Sequence, residues 1–154
     1  MIEGLLRIPL RRFEDERGWF AEIHRGSWLE KPMKQTNVSF SKEGVIRGLH
    51  FHERGQDDLF VCLGGSARVV VLDLVTGETF TEDIGDRNPV AIYVPGRCAH
   101  GFEALTDLVF IYHVTEEYDP ADPDEHEVPW NDPRVVDLWS TTSPILSERD
   151  QTAS

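Results

Sequence analysis

Short apolar runs follow one another along this chain, each broken by Gly, Pro, Asn or Asp, and none holds the three-to-four spacing of a helix face over any length. The runs WFAEIH (19–24), QTNVSFS (35–41), VIRGLHFH (45–52) and DLFVCL (58–63) are rich in β-branched and aromatic residues and predict strands. ARVVVLDL (67–74), ETFTEDI (78–84), VAIYVP (90–95), HGFEAL (100–105) and LVFIYHV (108–114) do the same. TGE at 76–78 predicts a hairpin turn and PG at 95–96 a second turn. Many short antiparallel strands in one chain predict an all-β fold, a sandwich or barrel of the jelly-roll type. ARVVVLDL is almost unbroken in its apolar residues, which predicts an interior strand. Beyond Tyr118 the texture changes. DPADPDEHEVPWNDP carries four prolines and many acids and predicts an irregular surface segment, followed from Arg134 by a short turn or helix and an arm.

The 154 residues suit a single domain spanning 1–154. A chain of this size buries roughly two-thirds of its unfolded surface, enough for a real core. No run of ~20 apolar residues is present to span a membrane. The segment MIEGLLRIPLRR places its basic cluster after its apolar residues and has no small-residue cleavage site, so the expected location is the cytoplasm. Cys62 and Cys98 fit neither a disulfide framework nor a multi-cysteine zinc site and are expected as free thiols, Cys62 in the core. The net charge of −13 argues against nucleic acid and anionic membranes as partners. An anionic small molecule fits only where arginines gather, and Arg17, Arg47, Arg54, Arg97 and Arg149 are the candidates.

The stretch GVIRGLHFHERGQDD (44–58) holds the most chemistry. On a strand, His50 and His52 project to the same side. Taken alone, such a pair is more often structural or superficial than catalytic. Downstream, PGRCAHGF adds His100 just after a turn, and Asp58 opens the strand after the HxH segment. HxH…D…G followed by PG…H resembles the two metal-binding motifs of cupins, small β-barrels in which three imidazoles and one carboxylate hold a metal. His50, His52, Asp58 and His100 are therefore one candidate site, for a divalent metal.

A broader resemblance covers nearly the whole chain. FEDERGWFAEI, QTNVSFSKEGVIRGLH, PGRCAHGF, YHVTEEYDP, WNDP and ILSERD stand in the order found in dTDP-4-dehydrorhamnose 3,5-epimerases. This resemblance implies a cupin-like jelly roll, a homodimer that exchanges N-terminal strands, a nucleotide-sugar substrate and no cofactor. It implies that His50 is the base, that Asp150 orients it and stabilises the imidazolium, and that Tyr112 is the general acid. It further implies that Tyr118 stacks on the thymine ring and that Arg17, Arg47 and Arg149 contact phosphates or nucleotide. Glu22, Gln35, Glu125 and His100 match positions contacting base or sugar. Without the resemblance, Asp150 would be a solvated tail acid, Tyr112 a core aromatic, Tyr118 a loop aromatic and each arginine a surface charge.

The chain departs from that family at two neighbouring places. The family usually has glutamine where His52 stands, and a lysine thought to stabilise the enolate oxygen where Asp58 stands. A carboxylate ~4 Å from a developing oxyanion costs about 4 kcal/mol at an effective dielectric near 20, which would cancel much of what an oxyanion donor contributes. Three outcomes stay open on sequence. Asp58 pairs with an arginine such as Arg54 or Arg68; it is protonated or turned away; or the two histidines, Asp58 and His100 bind a metal that acts as a Lewis acid. The competing functional readings are a proton-transferring epimerase, a metal-dependent cupin with isomerase or oxygenase activity, and a non-catalytic sugar-nucleotide binder.

Overall fold

The structure is a computed structural model and describes residues 1–153. Twelve strands and one short α-helix form among the described residues. They are β1 (Leu6–Pro9), β2 (Arg12–Asp15), β3 (Gly18–Ala21), β4 (Gln35–Ser41), β5 (Ile46–Phe51) and β6 (Asp58–Leu63). Then come β7 (Ser66–Asp73), β8 (Thr79–Gly85), β9 (Val90–Val94), β10 (Cys98–Ala104), β11 (Leu108–Val114), β12 (His126–Glu127) and α1 (Glu148–Thr152). One five-stranded sheet runs β1-β9-β6-β11-β4 and a second runs β12-β5-β10-β7-β8, while β2 and β3 form a separate hairpin. All the pairings between these strands are antiparallel. Two packed antiparallel sheets are the expected all-β jelly roll.

Alternation along the strands sorts the side chains into three apolar layers. Phe60, Cys62, Val69, Val71, Ile92, Phe102 and Phe110 come from both sheets and form the central layer. Ile46, Leu49, Val70 and Leu72 point the other way and are covered by Val128, Val135 and Trp139 of the C-terminal segment. Leu59, Val61, Ala91 and Tyr93 face outward from the first sheet and meet Leu10, Trp28 and Leu29. This double covering explains why β7 and β9 read as continuous apolar runs. Both cysteines are buried free thiols, and Cys62 belongs to the central layer.

All nine expected strands form, with small shifts at their ends. WFAEIH stops at Ala21, and HGFEAL begins two residues early at Cys98. β1, β2 and β12 were not expected. β1 and β2 interleave arginines with single apolar residues, and β12 is a two-residue pairing inside the proline-rich acidic segment. No helix is long and apolar enough to cross a membrane among the described residues.

Candidate active site

A cavity of about 1030 Å³ opens into one end of the sandwich. β5 and β10 supply one wall, β4, β6 and β11 the other, and the residues before and within α1 close part of the rim. Two glycines let β5 and β10 approach closely. A Cβ on Gly101 would lie 2.5 Å from the Arg47 carbonyl oxygen, and Gly48 has φ +126°, where side chains are strained. In this register His50 stands opposite His100.

His50 projects from β5 into the cavity, and its Nε2 lies 2.8 Å from Asp150 Oδ1. The C-terminal arm carries Asp150 there. Ile145 is tied to Val45, Ile46 and Gly44 by a parallel bridge and two backbone hydrogen bonds of 3.1 and 3.0 Å. Ser147 then caps α1 by accepting from the Asp150 N–H at 3.1 Å. The other carboxylate oxygen of Asp150 accepts the Gly48 N–H at 3.2 Å. Burial pushes the Asp150 carboxyl up, but the bond and charge of His50, the Gly48 N–H and the Arg149 charge together hold it below the usual carboxylate range. An ionised Asp150 is acceptor-only, so His50 Nε2 carries hydrogen and the lone pair of the neutral ring sits on Nδ1. Nδ1 is thus the atom able to accept a proton.

Tyr112 enters the same cavity from β11. Burial raises its pKa, partly offset by the Arg47 charge and reinforced by Asp58 and Glu125, so the phenol keeps its proton and can donate it. The neighbouring His113 faces the opposite side of the strand, where Thr36 Oγ1 is 2.9 Å from its Nδ1.

Of the other residues singled out, Gln35, Arg47, His100, Tyr118, Glu125 and Arg149 all line the cavity. Gln35 Oε1 accepts the Tyr118 N–H at 2.8 Å, which anchors the start of the acidic segment over the cavity. Arg47 donates to Ser41 Oγ at 2.8 Å and to the Phe40 carbonyl at 3.0 Å. Arg149 is paired with Glu125 and Glu127, each at 2.8 Å. Arg17 and Glu22 are not brought to the cavity of this chain. Arg17 lies exposed in the β2–β3 turn against Asp15, and Glu22 is 3.8 Å from Arg25.

The family profile described as dTDP-4-dehydrorhamnose 3,5-epimerase matches residues 1–154. This chain belongs to that family. It is 38% identical to the spore coat polysaccharide biosynthesis protein SpsL of Bacillus subtilis over 149 residues, covering 92% of this chain and 98% of that one. It is 34% identical to the dTDP-4-dehydrorhamnose 3,5-epimerase of Methanothermobacter thermautotrophicus, over 97% of this chain and 88% of that one. The crystal structure of the Bacillus anthracis dTDP-4-dehydrorhamnose 3,5-epimerase with TDP and pyrophosphate bound superposes with a TM-score of 0.89. That alignment has 30% identity and covers 98% of this chain and 93% of that one.

In this epimerase the two unusual residues also face the cavity. Asp58 is buried and lies among His52, His100 and Gln56. Of the three outcomes left open for Asp58, the pairing with Arg54 or Arg68 does not occur. Arg54 binds Asp122 and Asp124 of the acidic segment, and Arg68 binds Asp83 across β7 and β8. Asp58 is not turned away either. Desolvation, opposed by the His52 charge and the Gln56 hydrogen bond, raises its carboxyl to about 6. The four-ligand set is also corrected: His52, Asp58 and His100 offer atoms within 4.8 Å of one another, whereas His50 is engaged by Asp150 and lies outside the group. Gln56 was not singled out from sequence. It stands in a loop before β6, where no periodicity fixes its direction, and only its place two residues before Asp58 hinted at a role.

Proposed function

We propose that this epimerase inverts C3, C5 or both of a dTDP-4-keto-6-deoxyhexose, a step of deoxysugar biosynthesis of the rhamnose type. Both positions are alpha to the ketone, so their protons are acidic. His50 Nδ1 removes one, Asp150 stabilises the imidazolium that forms, and Tyr112 delivers a proton from the opposite face. The observation that carries this reading is the buried carboxylate 2.8 Å from His50 Nε2, on the wall of a cavity that also holds a protonated phenol. General acid–base pairs of this kind contribute ~10²–10⁴ each to rate. The proton transfers themselves call for no cofactor.

Arg47 has no acidic partner among the described residues and is the first candidate for the diphosphate. Arg149 joins it once phosphate displaces the carboxylates of Glu125 and Glu127 from its guanidinium. Tyr118, half-exposed at the rim, offers a ring for the thymine, and Gln35 and Glu125 line the adjoining wall. The working form is a homodimer in the cytoplasm. In its support, the β2–β3 hairpin exposes Phe13, Trp19 and Phe20, and the outer face of edge strand β4 exposes Val38 and Phe40. Association through these residues brings Arg17 and Glu22 to the neighbouring copy's cavity.

The decisive experiment incubates the wild-type protein with the dTDP-4-keto sugar in D2O and follows C3 and C5 by NMR. Deuterium entering either carbon with inversion sustains the reading. Binding of dTDP without any exchange leaves a sugar-nucleotide binder and refutes it.

A further inference from the structure

We propose that His52 Nε2, the Asp58 carboxylate and His100 Nε2 form a binding site for a first-row divalent transition metal, with an open position facing the cavity of His50 and Tyr112. The site is separate from the His50–Asp150 pair.

Four observations converge on it. Asp58 Oδ2 is 3.6 Å from His100 Nε2, and Asp58 Oδ1 is 4.0 Å from His52 Nε2. Ligand atoms around a metal with bonds near 2.1 Å stand roughly 3–3.5 Å apart, so a small closing movement of the imidazoles suffices. Secondly, His100 Nε2 is buried and has no hydrogen-bond partner among the described residues, an unmet acceptor or donor aimed at a buried carboxylate. Thirdly, His52 Nδ1 lies 2.6 Å from the Asp124 carbonyl oxygen. A carbonyl only accepts, so Nδ1 carries the hydrogen and Nε2 turns its lone pair inward. Metal-binding imidazoles are commonly oriented in this way by a carbonyl on their other nitrogen. Fourthly, Gln56 Nε2 sits 3.1 Å from Asp58 Oδ1 and 3.2 Å from His52 Nε2. Its amide thus occupies the place of a small cation bridging two lone-pair donors. Turning that amide over presents Oε1 as a fourth ligand.

No Lys or Arg neutralises Asp58 among the described residues, since Arg54 and Arg68 are held by other acids. Two imidazoles and one carboxylate suit zinc or iron(II). A metal there gives the cavity floor a net positive charge. Resting on the epimerase reading for this role alone, a metal held there would supply Lewis-acid stabilisation for charge developing on the sugar's ketone oxygen, while His50 and Tyr112 move the protons.

The test titrates chelator-treated protein with Co²⁺ as a spectroscopic probe and counts ions per chain. The expected result is one Co²⁺ per chain, with visible ligand-field bands of a four- or five-coordinate site, displaced by Zn²⁺. Asp58→Asn and His52→Gln should each weaken Co²⁺ binding by more than about 100-fold, beyond what loss of an orienting partner costs. His50→Asn should bind Co²⁺ as wild type does. Wild-type protein that takes up no stoichiometric Co²⁺, or Asp58→Asn and His52→Gln that bind it within about 3-fold of wild type, would overturn the site. Binding at the trio without deuterium exchange into the sugar, loaded or not, sustains the site and removes the epimerase reading instead.

Discussion

Asp150→Asn is the sharpest test of how the proposed base is built. The substitution keeps the volume of a side chain that is 5% exposed and leaves an oxygen able to accept the Gly48 N–H. What it removes is the charge facing His50 Nε2 at 2.8 Å. The charge centres of imidazolium and carboxylate are then ~4 Å apart, and at an effective dielectric near 20 their attraction is about 4 kcal/mol. That attraction exists only once the ring has taken a proton, so its loss falls on the barrier and slows proton abstraction ~1,000-fold. A second effect has the same sign. The new amide nitrogen can donate to Nε2, which moves the ring hydrogen to Nδ1 and removes the lone pair that accepts the substrate proton. Binding of dTDP should change little, because Asp150 faces the histidine rather than the nucleotide. The assay is the rate of solvent deuterium incorporation at C3 and C5, alongside calorimetric binding of dTDP. Exchange within ~10-fold of wild type, with the fold intact, would refute the assignment of His50 as a base held by Asp150.

Tyr112→Phe should separate exchange from inversion: deuterium still enters with retained configuration through His50, while inversion slows by ~10²-fold or more. Equal loss of both by NMR would show that the phenol is not the opposite-face donor. Phe20→Glu, on a hairpin residue that is 64% exposed, should convert the proposed dimer to monomer in sedimentation and lower activity, whereas an unchanged dimer would place the interface elsewhere. Acid stability should also report on Asp150. Its carboxyl is held below the usual range when folded, so its contribution is present above the unfolded value of ~3.9 and is lost as pH falls through the lowered folded value. Urea midpoints should therefore drop below pH ~4 more steeply for wild type than for Asp150→Asn.

Period-two reasoning worked wherever a strand has neighbours on both sides. It set His50 and His52 on one side of their strand, and both line the cavity. It gave nothing for β12, because two residues cannot show a period and their pairing depends on Phe51 and His50 being in place first. The same boundary runs through the site. Side chains on strands face the sides that alternation predicts, while neither arginine offered as a partner for Asp58 reaches it. Arg54 is four residues from Asp58 in sequence, which made their pairing plausible, yet the turn between them aims the guanidinium at Asp122. The acidic segment that captures it is irregular and offers no pattern to read. Arg17 and Glu22 illustrate a different limit. Their hairpin belongs to neither sheet, so nothing within one chain fixes it against the cavity.

Among the acids lining the cavity, Asp150 and Asp58 have surroundings that drive them in opposite directions. Asp150 accepts from His50 and Gly48 and feels Arg149, and it stays below the ordinary range. Asp58 has no Lys or Arg paired to it among the described residues, and desolvation lifts it to about 6. Divergent carboxyls in one site mark divided roles. An acid kept ionised next to an imidazole can stabilise charge that appears there during proton transfer. An acid in a desolvated setting between two imidazoles, with no lysine or arginine paired to it among the described residues, has surroundings of a different kind. His50 lies on β5 and His52 just past its end, two residues on, so one extended segment presents one ring to each carboxylate. The separation of the two pairs is built into the spacing of HFH itself.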